Sequence, residues 1–142
     1  MSVFISAFAH KNLKLQNPDD LNVLHIGYKR GVQNARNLLT NLYSAKNIIA
    51  TDDNEMSFRM LAKGRLDVIN CESVMGNGLI KDNPGFKDLV EISHIQELQI
   101  YSYIHHKHRS LGDKIAATLD TMKQDGTFAR ITAESIANFE IK

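Results

Sequence analysis

A single carboxylate, Glu72, follows an apolar run that has the composition of a buried strand. The run is LDVINC, residues 66–71, and Ser73 comes directly after the carboxylate. In an open α/β sheet, ligands bind outside the carboxyl ends of the strands, so Glu72 is a candidate ligand-binding residue. Its alternative role is to cap the helix that follows. Both interpretations stay open on the local sequence alone.

The turn at Gly31 is a second candidate, because it joins the strand-like VLHIGY to the start of a helix. The first amide groups of a helix have no partner within the helix, and they form an anion site. Gly31, Val32 and Gln33 are therefore candidates for holding a carboxylate or a phosphate. Alternatively, Gly31 simply allows a tight turn. No GxGxxG or Walker pattern is present that would indicate a nucleotide.

Two further carboxylates, Asp52 and Asp53, end the short strand NIIAT. Asp52 stands three residues before Glu55, which is the spacing of a capping box, and it is also a candidate site residue. If the strand before Gly31 lies between its two neighbours in the sequence, Gly31 and Glu72 face each other across one crevice. An anion site beside a fixed carboxylate suits a zwitterion such as an amino acid.

Other chemistry is poorly supported. His105, His106 and His108, with His94 upstream, lack an acidic or cysteine ligand at a defined spacing, so we expect exposed histidines at a strand end and no metal. Cys71 is the single cysteine, which excludes an internal disulfide, and it is expected to be a small buried hydrophobic residue. There is no GxSxG and no cysteine beside a convincing base. We expect neither an enzyme nor a cofactor.

Composition limits the class of protein and of partner. The chain has 142 residues, of which 43% are hydrophobic and 23% charged, with a net charge of +1. This is enough for one ordinary domain, and it provides no field that would attract nucleic acid. No apolar stretch approaches the roughly 18 residues that a membrane span needs. The start, MSVFISAFAHKN, has no basic region, so no signal peptide is expected.

The order of the elements predicts an α/β fold. The alternation of strand, helix, strand, helix and strand between residues 23 and 71 is typical of an open, mostly parallel βαβαβ sheet. An amphipathic helix is predicted from the spacing of Val32, Ala35, Leu38, Leu39 and Leu42. The remaining predictions are a first strand at VFISAFAH, a turn at Pro18, a weaker helix at SVMGNGLIKD, strands at DLVEIS and ELQIYSYI, a helix over 111–123, and helical turns in FARITAESIANF.

Two of these segments resemble a known family. GRLDVINCES and LDTMKQDGTFARI are similar to motifs of the periplasmic solute-binding proteins of the polar amino acid uptake type, which have the type 2 periplasmic-binding-protein fold. The family also includes ligand-sensing domains of receptor kinases. The residues in register with its patterns are Gly64, Asp67, Glu72, Gly126, Thr127 and Ile131.

The resemblance implies a function and a site. It implies a non-catalytic module that binds a small, amino-acid-like solute, works with an ABC permease and resides in the periplasm. It further implies that Glu72 binds the ligand's amino group and that residues 31–33 bind its carboxylate through helix amides. This chain departs from the family at Val32, where a threonine or serine is common. It also departs at Glu72, which is one methylene longer than the usual aspartate.

The resemblance also implies a division of the chain. Residues 22–98 are expected to form a second lobe with the ligand crevice, and residues 1–21 a strand and crossover of an incomplete first lobe. Residues 99–142 are expected to form a return strand and C-terminal helices. Their apolar stripe of Leu111, Ile115, Leu119 and Met122 needs a cover, which predicts a homodimer, with exchange of segments as one arrangement. The alternative function is a sensing or protein-interaction domain that works through dimerisation, with weak or lost ligand binding.

Overall fold

The computed structural model describes residues 3–14, 23–42, 44–99 and 101–139. Residues 3–98 contain a five-stranded sheet in the order β3-β2-β4-β1-β5. The strands are β1 (Val3–His10), β2 (Ile26–Lys29), β3 (Ile48–Thr51), β4 (Val68–Glu72) and β5 (Leu89–Leu98). β2 pairs in parallel with β3 and β4, and β1 pairs antiparallel with β4 and β5. The predicted α/β class with an open sheet is confirmed, and the sheet is parallel across β3-β2-β4 and antiparallel at β1 and β5.

The described residues form five α-helices. They are α1 (Gln33–Leu42), α2 (Asn54–Ala62), α3 (Ser73–Asp82), α4 (Arg109–Gln124) and α5 (Thr127–Phe139). The helices predicted at the places of α1, α2, α3 and α4 are confirmed, and the helical turns predicted in FARITAESIANF form the longer helix α5. The predicted turn at Pro18 and the side chain of Leu42 lie outside what the structure describes. Within the described residues, no helix is both long and apolar enough to span a bilayer.

The chain forms two compact units, one of residues 3–98 and one that begins at Gln99 and contains α4 and α5. Residues 1–21 were expected to belong to an incomplete first lobe, and the structure places β1 inside the sheet of residues 3–98, between β4 and β5. Phe8 and Ala9 of this strand are fully buried there. The apolar and small residues of VFISAFAH predict a strand, but they do not identify its partners.

The core lies on both faces of the sheet. On one face, Ala35 and Leu39 of α1 pack over Ile26, Tyr28 and Val68. The other face is built around three aromatic rings and their aliphatic neighbours, which include Phe8, Phe58, Phe86, Leu61, Leu66, Ile69 and Leu89. Burial of these side chains on folding is the main force that holds the sheet and helices together.

The cap of α2 differs from the prediction by one residue. The N-cap is Asp53, whose Oδ1 accepts a hydrogen bond of 2.6 Å from the amide of Met56. Asp52 instead lies 3.3 Å from Arg30, from its Oδ1 to Nη1. The predicted capping role of Asp52 is therefore wrong, because two adjacent aspartates fit the pattern equally well and the path of the chain after β3 decides between them.

The segment that follows β5 also differs. The predicted strand ELQIYSYI ends at Leu98, and residues 101–105 form no strand. Tyr101 and Tyr103 are 65% and 92% exposed, and none of the described strands pairs with them. His106–His108 form a short 3-10 helix before α4, so the expectation of histidines at a strand end is wrong. Aromatic composition favours a strand only where a neighbouring strand is available.

Candidate functional site

A crevice of about 250 Å³ opens at the carboxyl ends of the parallel strands. The sheet order places β2 between β3 and β4, which is the condition under which Gly31 and Glu72 were expected to face one crevice. The polar and charged side chains that line the crevice are Lys29 at the end of β2, Asn70 and Glu72 of β4, and Asn54 at the start of α2. Ligands of open α/β sheets bind in this position.

Glu72 lies on the wall of this crevice. It occupies the N-cap position of α3, but its side chain makes no capping hydrogen bond. The carboxylate is exposed and enters no ion pair among the described residues. Of the two roles that the sequence left open, the geometry favours the ligand-facing one.

The start of α1 forms the opposite wall. Gly31 has a φ of +87°, which allows the chain to turn from β2 into the helix. Val32 and Ala35 line the crevice. The amide of Arg36 donates to the carbonyl of Val32 at 3.1 Å, so the amides of residues 33–35 precede this bond and lack an intrahelical acceptor. The amide of Val32 itself donates to the carbonyl of Lys29 at 3.3 Å.

Three of the candidate residues do not line the crevice. The Nε2 of Gln33 donates to Oδ1 of Asn37 at 2.8 Å, which holds the side chain along its own helix. Gly31 offers only backbone, and a Cβ at this position would meet nothing within 4 Å. Asp52 pairs with Arg30 outside the crevice. The structure therefore brings together Val32 and Glu72 of the five candidates.

Sequence reasoning missed Lys29 and Asn70. Asn70 is only 5% exposed, and its Nδ2 has no hydrogen-bond partner in the described residues. The signal was present in the sequence, because an asparagine interrupts an otherwise apolar run between Ile69 and Cys71. Buried polar groups are usually hydrogen-bonded, so a polar residue in a core strand indicates either a partner or a ligand.

Cys71 is buried, as predicted, and is chemically quiet. Burial raises the pKa of its thiol to about 12, and the negative charge of Glu72 acts in the same direction, while Lys29 opposes it. The thiol therefore stays protonated near neutral pH and cannot act as a thiolate nucleophile. The opposing influences also show that Glu72 and Lys29 both lie close to this residue.

Glu91 of β5 fixes the position of α3. Its Oε2 accepts a hydrogen bond of 2.6 Å from Nδ2 of Asn77, and its Oε1 lies 3.2 Å from Nε2 of His94. Burial raises the pKa of Glu91, but the neighbouring polar side chains of Ser6, Asn77 and Ser73 outweigh burial and lower it overall. Ser73 begins α3 directly after Glu72, so this network lies beside the end of β4.

Comparison with known proteins gives the fold. No protein-family model matches the chain. A histidine kinase sensor domain with similarity to periplasmic binding proteins superimposes with a TM-score of 0.74 at 21% identity, covering 94% of this chain and 58% of that one. The chain has a periplasmic-binding-protein-like fold. At such low identity, the likeness shows the fold alone.

Amino-acid-binding proteins share this periplasmic-binding-protein-like fold. An amino acid ABC transporter substrate-binding protein from Streptococcus pneumoniae, solved with L-arginine, has a TM-score of 0.73 at 18% identity and covers 100% of this chain and 60% of that one. The arginine-, lysine-, histidine-binding protein of Geobacillus stearothermophilus has a TM-score of 0.69 at 19% identity, with 94% and 58% covered. The chain thus spans about three fifths of the length of these structures.

A curated relative found by its sequence gives no information on function. An uncharacterized protein of Shewanella oneidensis is 28% identical over 117 residues, which cover 81% of this chain and 44% of the relative. The chain therefore spans less than half the length of that protein.

A metal site is not visible in the parts of the chain that the structure describes. No group of three histidine, cysteine, aspartate or glutamate side chains is arranged there to hold an ion. His105 and His106 stack on each other, with ring centroids 4.1 Å apart, and Nδ1 of His105 accepts from the amide of Lys107 at 3.3 Å.

Proposed function

We propose that the chain is a non-catalytic module that binds a small, amino-acid-like solute in the crevice between α1 and β4. The observation that carries this proposal is the pair of opposite electrostatic features on its walls. Glu72 presents a carboxylate without a capping bond, and the start of α1 presents amide groups without intrahelical acceptors. These features complement the ammonium and the carboxylate of a zwitterion, respectively.

The size of the crevice suits a small ligand. Its volume of about 250 Å³ lies below the range of roughly 300–1,000 Å³ that is usual for drug-sized ligands. Its apolar lining, which includes Ile5, Val32 and Met75, provides contacts for the aliphatic part of an amino acid. The neighbours in fold include proteins solved with, or named for, amino acids, and this supports the same class of solute here.

Transport is the setting that we propose for this binding. Two of the neighbours are described as ABC transporter or amino-acid-binding proteins, so an ABC permease is the proposed protein partner and the periplasm the proposed compartment. In this setting the solute is carried rather than converted, which agrees with the buried, protonated thiol of Cys71.

A second candidate function is supported by an exposed apolar stripe on α4. Leu111 and Ile115 are 46% and 43% exposed, while Leu119 and Met122 are partly buried. Such a stripe is an interaction surface when a second copy covers it. A sensing or protein-interaction domain that works through dimerisation would use it, and one neighbour in fold is a sensor domain. In that function, replacement of Leu111 would change the oligomeric state and replacement of Glu72 would not.

The test is a thermal-shift panel of the common L-amino acids, with Glu72→Gln beside the unmodified chain. A solute at 100 times its dissociation constant stabilises the fold by about 2.7 kcal/mol, which raises the Tm by several degrees. Because Glu72→Gln removes a charged hydrogen-bond acceptor, we expect binding to weaken about tenfold or more. The shift at a fixed concentration should therefore shrink strongly in this variant.

Asp52→Asn is the matched control, because Asp52 is also an acidic residue at the end of a strand but lies outside the crevice. It should keep the full ligand-induced shift. An unmodified chain that no amino acid stabilises, or a shift that Glu72→Gln leaves unchanged, would contradict the proposed function. A dimer that dissociates on Leu111→Ser would then favour the second candidate.

A further inference from the structure

The amide of Asn70 is a feature of the crevice that the proposed roles of Glu72 and α1 do not use. Asn70 is 95% buried, since its exposed fraction is 5%, and its Nδ2 has no partner in the described residues. Asn70 lines the crevice, and its Nδ2 is covered in the ligand-free chain, so the side chain must turn to present this donor to a bound solute. A buried donor without an acceptor costs stability, and a core strand would gain from an apolar residue at this position.

Asn70 lies near both Glu72 and the start of α1. In β4, Asn70 and Glu72 are two residues apart and therefore lie on the same face of the sheet, roughly 7 Å apart along the strand. This is the face that α1 covers, because Val68, the preceding residue on that face, packs with Ala35 and Leu39. Asn70 thus lies under the start of α1, where the amides of residues 33–35 lack intrahelical acceptors.

The crevice also contains one cationic side chain. Lys29 follows Tyr28, which is the register partner of Asn70 in the parallel pair of β2 and β4. Lys29 lines the crevice, and it forms no salt bridge within the described residues. Its ammonium adds positive charge to the crevice.

We propose that Asn70 is the specificity-determining residue for the solute's carboxylate, which its Nδ2 binds together with the first-turn amides of α1 while Lys29 supplies positive charge. This inference rests on the proposed function and deepens it. Val32 has no hydroxyl to donate, whereas Asn70 offers a side-chain amide donor. The separation of Asn70 and Glu72 suits a solute whose carboxylate and ammonium are a few bonds apart, as in an α-amino acid. The required class is therefore a solute with a free carboxylate.

The test compares Asn70→Leu with the unmodified chain on paired probes. Each common L-amino acid that shifts the Tm is measured by isothermal titration calorimetry beside its carboxamide, which keeps the ammonium and loses the negative charge. The unmodified chain should bind the amino acid at least tenfold more tightly than the carboxamide. In Asn70→Leu, binding of the amino acid should fall tenfold or more and the preference over the carboxamide should largely disappear.

The stability of the ligand-free protein separates this role from a structural one. Because leucine has a similar size and leaves no donor without an acceptor, the Tm of ligand-free Asn70→Leu should equal or exceed that of the unmodified chain. A clear fall in that Tm would show that the amide has a structural partner, and it would overturn the proposal. Asn70→Asp is the second variant, since its negative charge should repel the carboxylate and abolish binding.

Three outcomes are distinguishable. Loss of binding in both Asn70→Leu and Glu72→Gln supports both proposals. Full binding and unchanged preference in Asn70→Leu, with loss in Glu72→Gln, overturns the role of Asn70 and leaves the proposed function intact. Absence of binding of every probe to the unmodified chain overturns both.

Discussion

Phe58→Ala is expected to lower the free energy of unfolding by about 3–5 kcal/mol, which is the usual cost of removing a buried aromatic ring. Phe58 of α2 is fully buried. Its ring centroid lies 5.3 Å from that of Phe8 in β1 and 5.7 Å from that of Phe86. The ring thus joins a helix, a strand and the turn before β5, and its removal leaves a cavity among them. Urea denaturation followed by circular dichroism measures the effect.

Met56→Ala is the control for this prediction. Met56 lies on the same helix but is 38% exposed. Its backbone amide can still donate the capping hydrogen bond to Oδ1 of Asp53 after the change. The cost should stay within about 0.5 kcal/mol, as for most surface substitutions. Similar costs for the two variants would mean that α2 does not bury Phe58 against β1.

Gly76→Ala is expected to destabilise the protein by about 1–3 kcal/mol, although alanine normally favours a helix over glycine. Gly76 is buried in α3, and a Cβ there would overlap the ring of Phe8. That ring is fully buried and cannot move aside without disturbing the aromatic core. The added methyl group must therefore push α3 away from β1.

Gly112→Ala is the same chemical change, but it is expected to stabilise the protein. Gly112 lies in α4, and a Cβ there would meet nothing within 4 Å. The substitution should raise the helix stability by up to about 1 kcal/mol. Thermal denaturation of the two variants should therefore move the Tm in opposite directions. A rise in the Tm of Gly76→Ala would contradict the packing of α3 on Phe8.

Much of the fold could be predicted because local signals and the global topology agree. The apolar period of α1 indicates a helix, the apolar run of β4 indicates a strand, and Gly31, with its φ of +87°, allows the turn between β2 and α1. Alternation of such elements then implies parallel pairing. The partners of β1 could not be predicted, because a short apolar strand fits any sheet whose register buries it. Only tertiary contacts determine that β1 pairs with β4 and β5.

The candidate site was predictable to the same degree. Glu72 and Val32 follow from the rule that ligands bind at the carboxyl ends of parallel strands. Gln33 and Asp52 were expected at the site but turn to local partners, Asn37 and Arg30, which the spacing of residues does not reveal. Asn70 was missed because hydrophobic pattern identifies a strand and gives no information on whether a polar residue within it has a partner.

The most direct test of solute binding at the crevice is a ¹⁵N–¹H NMR titration with the amino acid that gives the largest thermal shift. The proposed site predicts that shift changes concentrate at the first turn of α1, at the backbone of Glu72 and at the side-chain amide of Asn70. The Asn70 amide should move downfield as it gains an acceptor. Changes confined to α4 and α5, or no saturable change at the crevice, would contradict the binding of a solute between α1 and β4.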